Sequence, residues 1–113
     1  MIEKRAHERF SVDMEVSIFH FTERYSGTIK DISKSGMYIE SDTALLFNSK
    51  HDIHSYLLSK LKVFITHNNN VLGVPVRVKR LVKDGDSYIG MGVMLLDPSQ
   101  PYMDFMNSLT LSN

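Results

Sequence analysis

At 113 residues the chain is long enough to bury one hydrophobic core but not two, and its composition, 42% hydrophobic and 23% charged, is that of an ordinary globular domain. Thirteen basic and thirteen acidic side chains cancel to a formal net charge of zero, which argues against a general nucleic-acid binder. Cysteine is absent, which excludes a disulfide framework and a thiolate metal site or nucleophile, and no apolar run approaches the ~20 residues that a membrane-spanning helix needs.

The first ten residues are mostly charged or polar and lack the apolar stretch of a signal peptide. We therefore expect a cytoplasmic protein with no inserted membrane segment. Two arginines lie four positions apart in this segment, Arg5 and Arg9, and Lys4 directly precedes the first of them.

Residues 11–97 consist of short runs in which apolar and polar side chains alternate, the period of half-buried β-strands. Turn residues separate these runs, and residues 43–60 show no clear pattern. The alternation is clearest in two sets of apolar residues: Val12, Met14, Val16 and Ile18 early in the chain, and Val74, Val76 and Val78 late in it. The predicted turns lie at Ser26-Gly27, Ser35-Gly36, Asn68 to Asn70 and Asp84-Gly85.

The end of the chain changes to the period of a helix. Tyr102, Phe105, Met106 and Leu109 fall at i, i+3, i+4 and i+7, and this stripe predicts a helix at about residues 100–110 that packs on the core. Ser99 is a suitable N-cap, and Pro101 suits the first turn. About six short strands followed by one helix predict a small antiparallel barrel or sandwich.

Two short patterns are candidates for function. The first is the arginine pair, Arg5 and Arg9, and the second is a D-x-S-x-x-G sequence at the end of a predicted strand, formed by Asp31, Ser33 and Gly36. Each pattern also has a structural interpretation. The arginines could be a solvated charge cluster, and the second pattern could be a plain hairpin corner with Gly36 in the left-handed conformation.

Together, in this order, the two patterns resemble the signature motifs of PilZ domains, and Ile89 to Leu95 is similar to the glycine-containing last strand of that family. The resemblance covers nearly the whole chain. It implies a six-stranded antiparallel barrel with a C-terminal helix and a non-enzymatic receptor for the bacterial second messenger cyclic di-GMP. Because the first motif begins at residue five, we expect a stand-alone single domain, with a flexible ligand-binding arm at residues 1–10, a barrel at 11–97, and a helix and tail at 98–113.

The chemistry of cyclic di-GMP fits the motif residues. The ligand presents two phosphates and two guanines, and a guanidinium can pair bidentately with a phosphate or with guanine O6 and N7. We therefore expect Arg5 and Arg9 to clasp it, with Asp31 accepting hydrogen bonds from the guanine N1 and N2 edge. Ser33 can add a hydroxyl contact, and Gly36 lets the backbone approach the ligand.

Five further residues are auxiliary candidates for the same site. A basic residue at the position of Lys4 is compatible with an intercalated pair of ligand molecules, although a single molecule is equally compatible with the motifs. The basic late strand can face the ligand or be a solvated strand face. The auxiliary residues are Lys4, Ser35, Arg77, Arg80 and Gly92.

Other functions receive less support from the sequence. A PilZ-like adaptor that binds a protein without nucleotide is the alternative, although such members typically lose one of the motifs. A small barrel for single-stranded nucleic acid is disfavoured by the zero net charge. His51 and His54 lack a third metal ligand, and no histidine is positioned as a base for Ser33. We expect no enzyme activity, no cofactor and no metal, and a protein partner that the sequence does not name; the oligomeric state is open.

Overall fold

The computed structural model describes residues 9–20, 23–41, 60–85 and 87–111. These residues form a closed barrel of six strands followed by one helix. The strands are β1 (Phe10–His20), β2 (Glu23–Ile32), β3 (Gly36–Ser41), β4 (Lys60–His67), β5 (Asn70–Asp84) and β6 (Ser87–Leu95), and the helix is α1 (Gln100–Leu111).

The strand order around the barrel is β1-β2-β3-β6-β5-β4, and every neighbouring pair is antiparallel. The barrel closes through β1 and β4, where Val16 lies opposite Ile65. The predicted six-stranded antiparallel barrel and its C-terminal helix are therefore confirmed, and the sandwich is not the solution this chain adopts. In the described barrel every strand is therefore paired with a neighbour on both sides.

The alternation in the sequence sorts the side chains between the barrel interior and solvent. Val16 and Ile18 of β1 point inward with 5% and 1% exposure, and Ser17 between them is on the outer face. The other strands follow the same rule, so the interior is filled with aliphatic residues and methionine. The buried strand residues are Val16, Ile18, Ile29, Ile32, Met37, Ile39, Leu61, Val63, Ile65, Val74, Val76, Val78, Met91, Val93 and Leu95.

Helix α1 packs against one end of this core. Its N-terminus is capped by Ser99, whose Oγ accepts a hydrogen bond from the amide of Tyr102 at 3.3 Å. Tyr102, Phe105 and Met106 are buried, as the predicted stripe requires. This is the end of the barrel at which β2 runs into β3 and β4 runs into β5, because Tyr102 contacts Ser33 and the Phe105 ring lies 5.1 Å from the ring of His67.

The structure confirms some of the predicted turns and contradicts one of them. Asn68 and Asn69 have positive φ, as does Gly85, so the turns after β4 and β5 are confirmed. The turn predicted at Ser26-Gly27 is wrong, because both residues lie inside β2. Gly27 serves close packing instead, since a Cβ there would lie 2.7 Å from the carbonyl oxygen of Glu40. Residues 43–59, whose pattern was unclear, lie outside the described residues.

Candidate functional site

The D-x-S-x-x-G sequence forms the corner between β2 and β3, and Ser33 builds it. Ser33 is 1% exposed. Its Oγ accepts hydrogen bonds from the amides of Ser35 at 3.1 Å and Gly36 at 3.2 Å, and its own amide donates to the Gly36 carbonyl at 2.8 Å. The hydroxyl thus supplies a hydrogen-bond acceptor for two amides that the three-residue turn would otherwise leave without a partner.

A glycine is required at position 36 because β3 approaches β6 closely there. Among the glycines that the structure describes, Gly85 alone has positive φ, so the left-handed interpretation of Gly36 is wrong. A Cβ on Gly36 would lie 2.3 Å from the carbonyl oxygen of Val93 in β6, a distance that backbone atoms cannot relieve. The glycine therefore lets β3 begin directly against β6.

The corner is held from two further sides. The buried hydroxyl of Tyr102 in α1 donates a 2.6 Å hydrogen bond to the carbonyl oxygen of Ser33, and the Leu95 amide at the end of β6 donates to the carbonyl of Ser35 at 2.9 Å. Burial raises the pKa of Tyr102 above its ordinary value, and the positive charge of Arg9 acts in the opposite direction. The phenol therefore stays a hydrogen-bond donor at neutral pH, and the helix fixes the corner.

The second arginine of the first motif lies directly beside the corner. Arg9 precedes β1, and Phe10 pairs with Ile32, which brings the Arg9 guanidinium to the carboxylate of Asp31. Nη1 donates to Oδ1 at 2.5 Å, with side-chain exposures of 27% and 35%. A partly exposed pair of this kind contributes ~0–1 kcal/mol to stability, so it serves position more than stability. Arg5 and Lys4 lie outside the described residues.

Asp31 begins a row of side chains that crosses the outer face of the barrel. Asp31 pairs with Tyr38 across β2 and β3, Tyr38 pairs with Gly92 across β3 and β6, and Gly92 pairs with Arg80 across β6 and β5. The Arg80 guanidinium lies 5.7 Å from the centre of the Tyr38 ring, within the range of a cation–π contact. Burial raises the pKa of Tyr38, and the neighbouring Glu40 adds to this shift.

Tyr38 is the residue of this row that the sequence motifs do not include. The signal for it is simple, because Tyr38 follows Gly36 by two positions and therefore shares its face of β3. Gly92, by contrast, was an auxiliary candidate, and the structure shows what its lack of a side chain allows. A Cβ on Gly92 would lie 2.9 Å from Nε of Arg80, so the glycine leaves room for the arginine side chain to lie across β6.

A cavity of about 250 Å³ opens between this row and the corner. Glycine backbone forms part of its lining, and cationic side chains from two parts of the chain, Arg9 before β1 and the pair Lys79 and Arg80 in β5, border it. Of the auxiliary candidates, Ser35, Arg80 and Gly92 line the cavity and Arg77 does not. The lining residues are Arg9, Ser35, Gly36, Lys79, Arg80, Gly92, Val93 and Met94.

A larger concave surface of about 670 Å³ lies on the outer side of β1 and β2, between Arg24 and Phe64. Its lining contains neither the corner nor Arg9. The smaller cavity is therefore the candidate site, because its lining includes the motif residues Arg9 and Gly36 together with the cations of Lys79 and Arg80.

Comparison with known proteins identifies the family. The model of the PilZ domain matches residues 3–111. The chain belongs to the PilZ domain family. A PilZ domain of YcgR from Escherichia coli, described with c-di-GMP, has a TM-score of 0.72 at 13% identity, over 97% of this chain and 91% of that one. None of the curated protein sequences compared with this PilZ domain matches it.

Two longer proteins contain a similar domain. The Bacillus subtilis inhibitor of motility, MotI/DgrA, has a TM-score of 0.68 at 15% identity, over 99% of this chain and 53% of that one. The MrkH–c-di-GMP complex of K. pneumonia has a TM-score of 0.65 at 19% identity, over 98% of this chain and 52% of that one. The chain thus spans about half the length of both proteins, and at these identities the likeness is one of fold.

Two other kinds of site find no support in the residues described. No three histidine or acidic side chains among them are grouped so that they could hold a metal ion. The pair His51 and His54 lies outside these residues. No helix in the described ranges is long and apolar enough to cross a membrane.

Proposed function

We propose that this PilZ domain is a receptor for cyclic di-GMP, without enzymatic activity, and that the ligand binds in the cavity beside the β2–β3 corner. The observation that carries the proposal is that Arg9, which is ion-paired with Asp31, lines a cavity bordered also by Lys79 and Arg80. The similar YcgR domain and MrkH are both described with c-di-GMP, which supports the same ligand class here.

The positive charge around the cavity suits a dianion, although the net charge of the whole chain is zero. Arg9, Lys79 and Arg80 border the cavity with positive charge, and Asp31 is paired with Arg9. The phosphate oxygens would accept hydrogen bonds from the guanidinium and ammonium groups. Arginine adds a planar pair of donors that binds phosphate or guanine bidentately. Asp31 would take the N1 and N2 edge of a guanine, because an ionised carboxylate only accepts hydrogen bonds.

Ser33 and Gly36 support this site through the backbone. The Ser33 hydroxyl already accepts two amide hydrogen bonds, and Gly36 allows contact between β3 and β6. A direct contact from Ser33 to the ligand stays a prediction, and Ser35, which is exposed and lines the cavity, is the nearer hydroxyl. The corner therefore keeps Asp31 and the cavity lining in position for the ligand.

We propose further that ligand binding brings Arg5, Lys4 and the rest of the segment before β1 over the cavity. Arg9 marks the point where this segment meets β1 beside the site. The changed surface would then be recognised by a protein partner, through which the receptor would act.

Calorimetric titration with cyclic di-GMP tests the proposal, with GTP and a short single-stranded oligonucleotide as comparison ligands. We expect saturable binding of cyclic di-GMP alone. Asp31→Ala should weaken it by about 1–3 kcal/mol, the usual scale for one bidentate base contact, while the fold stays intact. Absence of cyclic di-GMP binding would favour a nucleotide-independent adaptor, and preference for the oligonucleotide would favour the nucleic-acid alternative.

A further inference from the structure

Tyr38 lies between the two parts of the candidate site. It is directly opposite Asp31 on one side and in the same row as Arg80 on the other. Directly opposed residues of an antiparallel pair have Cβ atoms about 4.5–5.5 Å apart, so the ring begins within one base width of the carboxylate. The side chain is half-buried, which leaves part of it accessible to solvent.

Strand β6 has no outward side chain at positions 90 and 92, where it passes beneath this ring and its arginine. A Cβ on Gly90 would lie 2.5 Å from the Tyr38 hydroxyl, and a Cβ on Gly92 would lie 2.9 Å from Nε of Arg80. Met91 between them points into the core and is 1% exposed. The two outward glycines thus leave a flat surface on which the Tyr38 and Arg80 side chains lie, with the guanidinium over the aromatic ring.

We infer that Tyr38 is a stacking platform for the guanine base whose edge Asp31 holds, an inference that rests on the proposed function. A purine in contact with the Asp31 carboxylate extends over the neighbouring strand, where the Tyr38 ring is the adjacent aromatic surface. Aromatic side chains beside cationic groups are a general means of holding nucleobases, because every base presents a π-face. Arg80 now covers this ring, is exposed, and can turn toward a phosphate of the same ligand.

Stacking and edge recognition divide the work between Tyr38 and Asp31. A tyrosine ring binds any purine face, so it adds affinity and does not distinguish guanine from adenine. The carboxylate distinguishes them, because guanine offers N1 and N2 donors on that edge. Loss of the Tyr38 ring should therefore weaken binding, while loss of Asp31 should weaken both binding and base selectivity.

A tryptophan reporter tests the contact directly, because the chain contains no tryptophan. In Tyr38→Trp, cyclic di-GMP should quench the indole fluorescence saturably, since a stacked guanine is an efficient contact quencher. Phe19→Trp is the matched control: Phe19 is 37% exposed in β1, lies opposite Arg24, and does not line the cavity. Equal response of the two reporters, or none at position 38 when calorimetry shows binding, would overturn the inference.

Affinity measurements on two further variants separate the ring from its hydroxyl. Tyr38→Leu should weaken cyclic di-GMP binding roughly ten-fold, within the range for one stacked base, and Tyr38→Phe should stay within about two-fold of the unsubstituted protein. Thermal unfolding of each variant shows whether the barrel is intact. Unchanged binding by Tyr38→Leu, or equal loss in both variants, contradicts the stacking role. Absence of binding by the unsubstituted protein would instead overturn the proposed function on which the inference rests.

Discussion

Arg9 contributes through position and charge at the residue scale, and its effect on binding should separate from its effect on stability. The side chain is partly exposed and its ion pair with Asp31 is of the weak, solvent-accessible kind. Arg9→Ala should change the free energy of unfolding by no more than about 0.5–1 kcal/mol. Binding of cyclic di-GMP should fall steeply, and Arg9→Lys should recover only part of the loss because the planar fork is missing.

Arg24→Ala is the control for this prediction. Arg24 is an exposed arginine near the other end of β2, where its guanidinium contacts the hydroxyl of Ser17 at 3.1 Å. Calorimetric titration and thermal unfolding of the three variants should show normal binding for Arg24→Ala alone. Full-strength binding by Arg9→Ala would remove Arg9 from the site, and unfolding of that variant would mean that the arginine is structural.

Two serines of the corner should differ in stability although they are two positions apart. Ser33 is buried and accepts hydrogen bonds from two amides, whereas Ser35 is exposed. Ser33→Ala would leave those amides without their partner, at a cost of about 1–3 kcal/mol in the free energy of unfolding. Ser35→Ala should cost less than about 0.5 kcal/mol. Chemical denaturation of both variants measures the difference, and equal stabilities would show that water replaces the Ser33 hydroxyl.

Strand alternation and helix period predicted most of the architecture at the scale of elements. The inward residues of β1 and β5 were identified from their two-residue period, and the stripe of Tyr102, Phe105 and Met106 from its helical spacing. Both signals are strong because burial acts on every member of the pattern. The error at Gly27 has a different origin, since a glycine chosen for contact between strands has the same sequence signal as one chosen for a turn.

A strict alternation of inward and outward residues does not predict that the side chains of Asp31 and Arg80 point outward. From Ile29, which points inward, alternation would direct Asp31 inward as well, and from Val78 it would do the same for Arg80. A register shift lies in each strand, between Ile29 and Asp31 and between Val78 and Arg80, and each adds one residue. These bulges turn both side chains to the outer face, and their position depends on strand pairing that the sequence does not reveal.

The hydrogen bond from Tyr102 to the Ser33 carbonyl connects helix α1 to the corner, and its loss should be measurable. Tyr102→Phe keeps the buried ring and removes the hydroxyl that donates to the Ser33 carbonyl. We expect the free energy of unfolding to fall by about 1–3 kcal/mol, because the buried carbonyl loses its donor. Asn107→Ala on the exposed side of α1 is the control, and it should change stability little. Equal stability of Tyr102→Phe and the unsubstituted protein would show that the bond contributes nothing.

The same tyrosine gives the element a pH dependence of known sign. Burial raises the folded-state pKa of Tyr102 above the ordinary value of 10.0, so the unfolded chain releases this proton first as pH rises. Stability from Tyr102 is therefore complete below about pH 10 and declines above it. Tyr102→Phe should flatten this decline in thermal unfolding measured between neutral and alkaline pH. An unchanged slope would assign the alkaline loss of stability to other groups.

At the scale of the whole molecule, a net charge of zero coexists with a local concentration of cations, and salt should separate the two. Because thirteen basic and thirteen acidic side chains balance, added salt has little net self-repulsion to screen, and the melting temperature should change little. The cavity differs, since Arg9, Lys79 and Arg80 border it and the proposed ligand is a dianion. At ~0.1 M salt, charges are screened over about 10 Å, so the affinity for cyclic di-GMP should fall as salt rises.

Lys79→Ala makes this prediction specific to the cavity. It should weaken cyclic di-GMP binding and also reduce the dependence of affinity on salt, because one of the screened attractions is gone. Lys62→Ala is the matched control, an exposed strand lysine that lies over the Phe64 ring and does not line the cavity. Calorimetric titration at two salt concentrations, with thermal unfolding beside it, measures both quantities. The prediction is contradicted if Lys62→Ala alters the salt dependence as much as Lys79→Ala does. The attraction would then come from the electrostatic field of the whole protein and not from the cations that border the cavity.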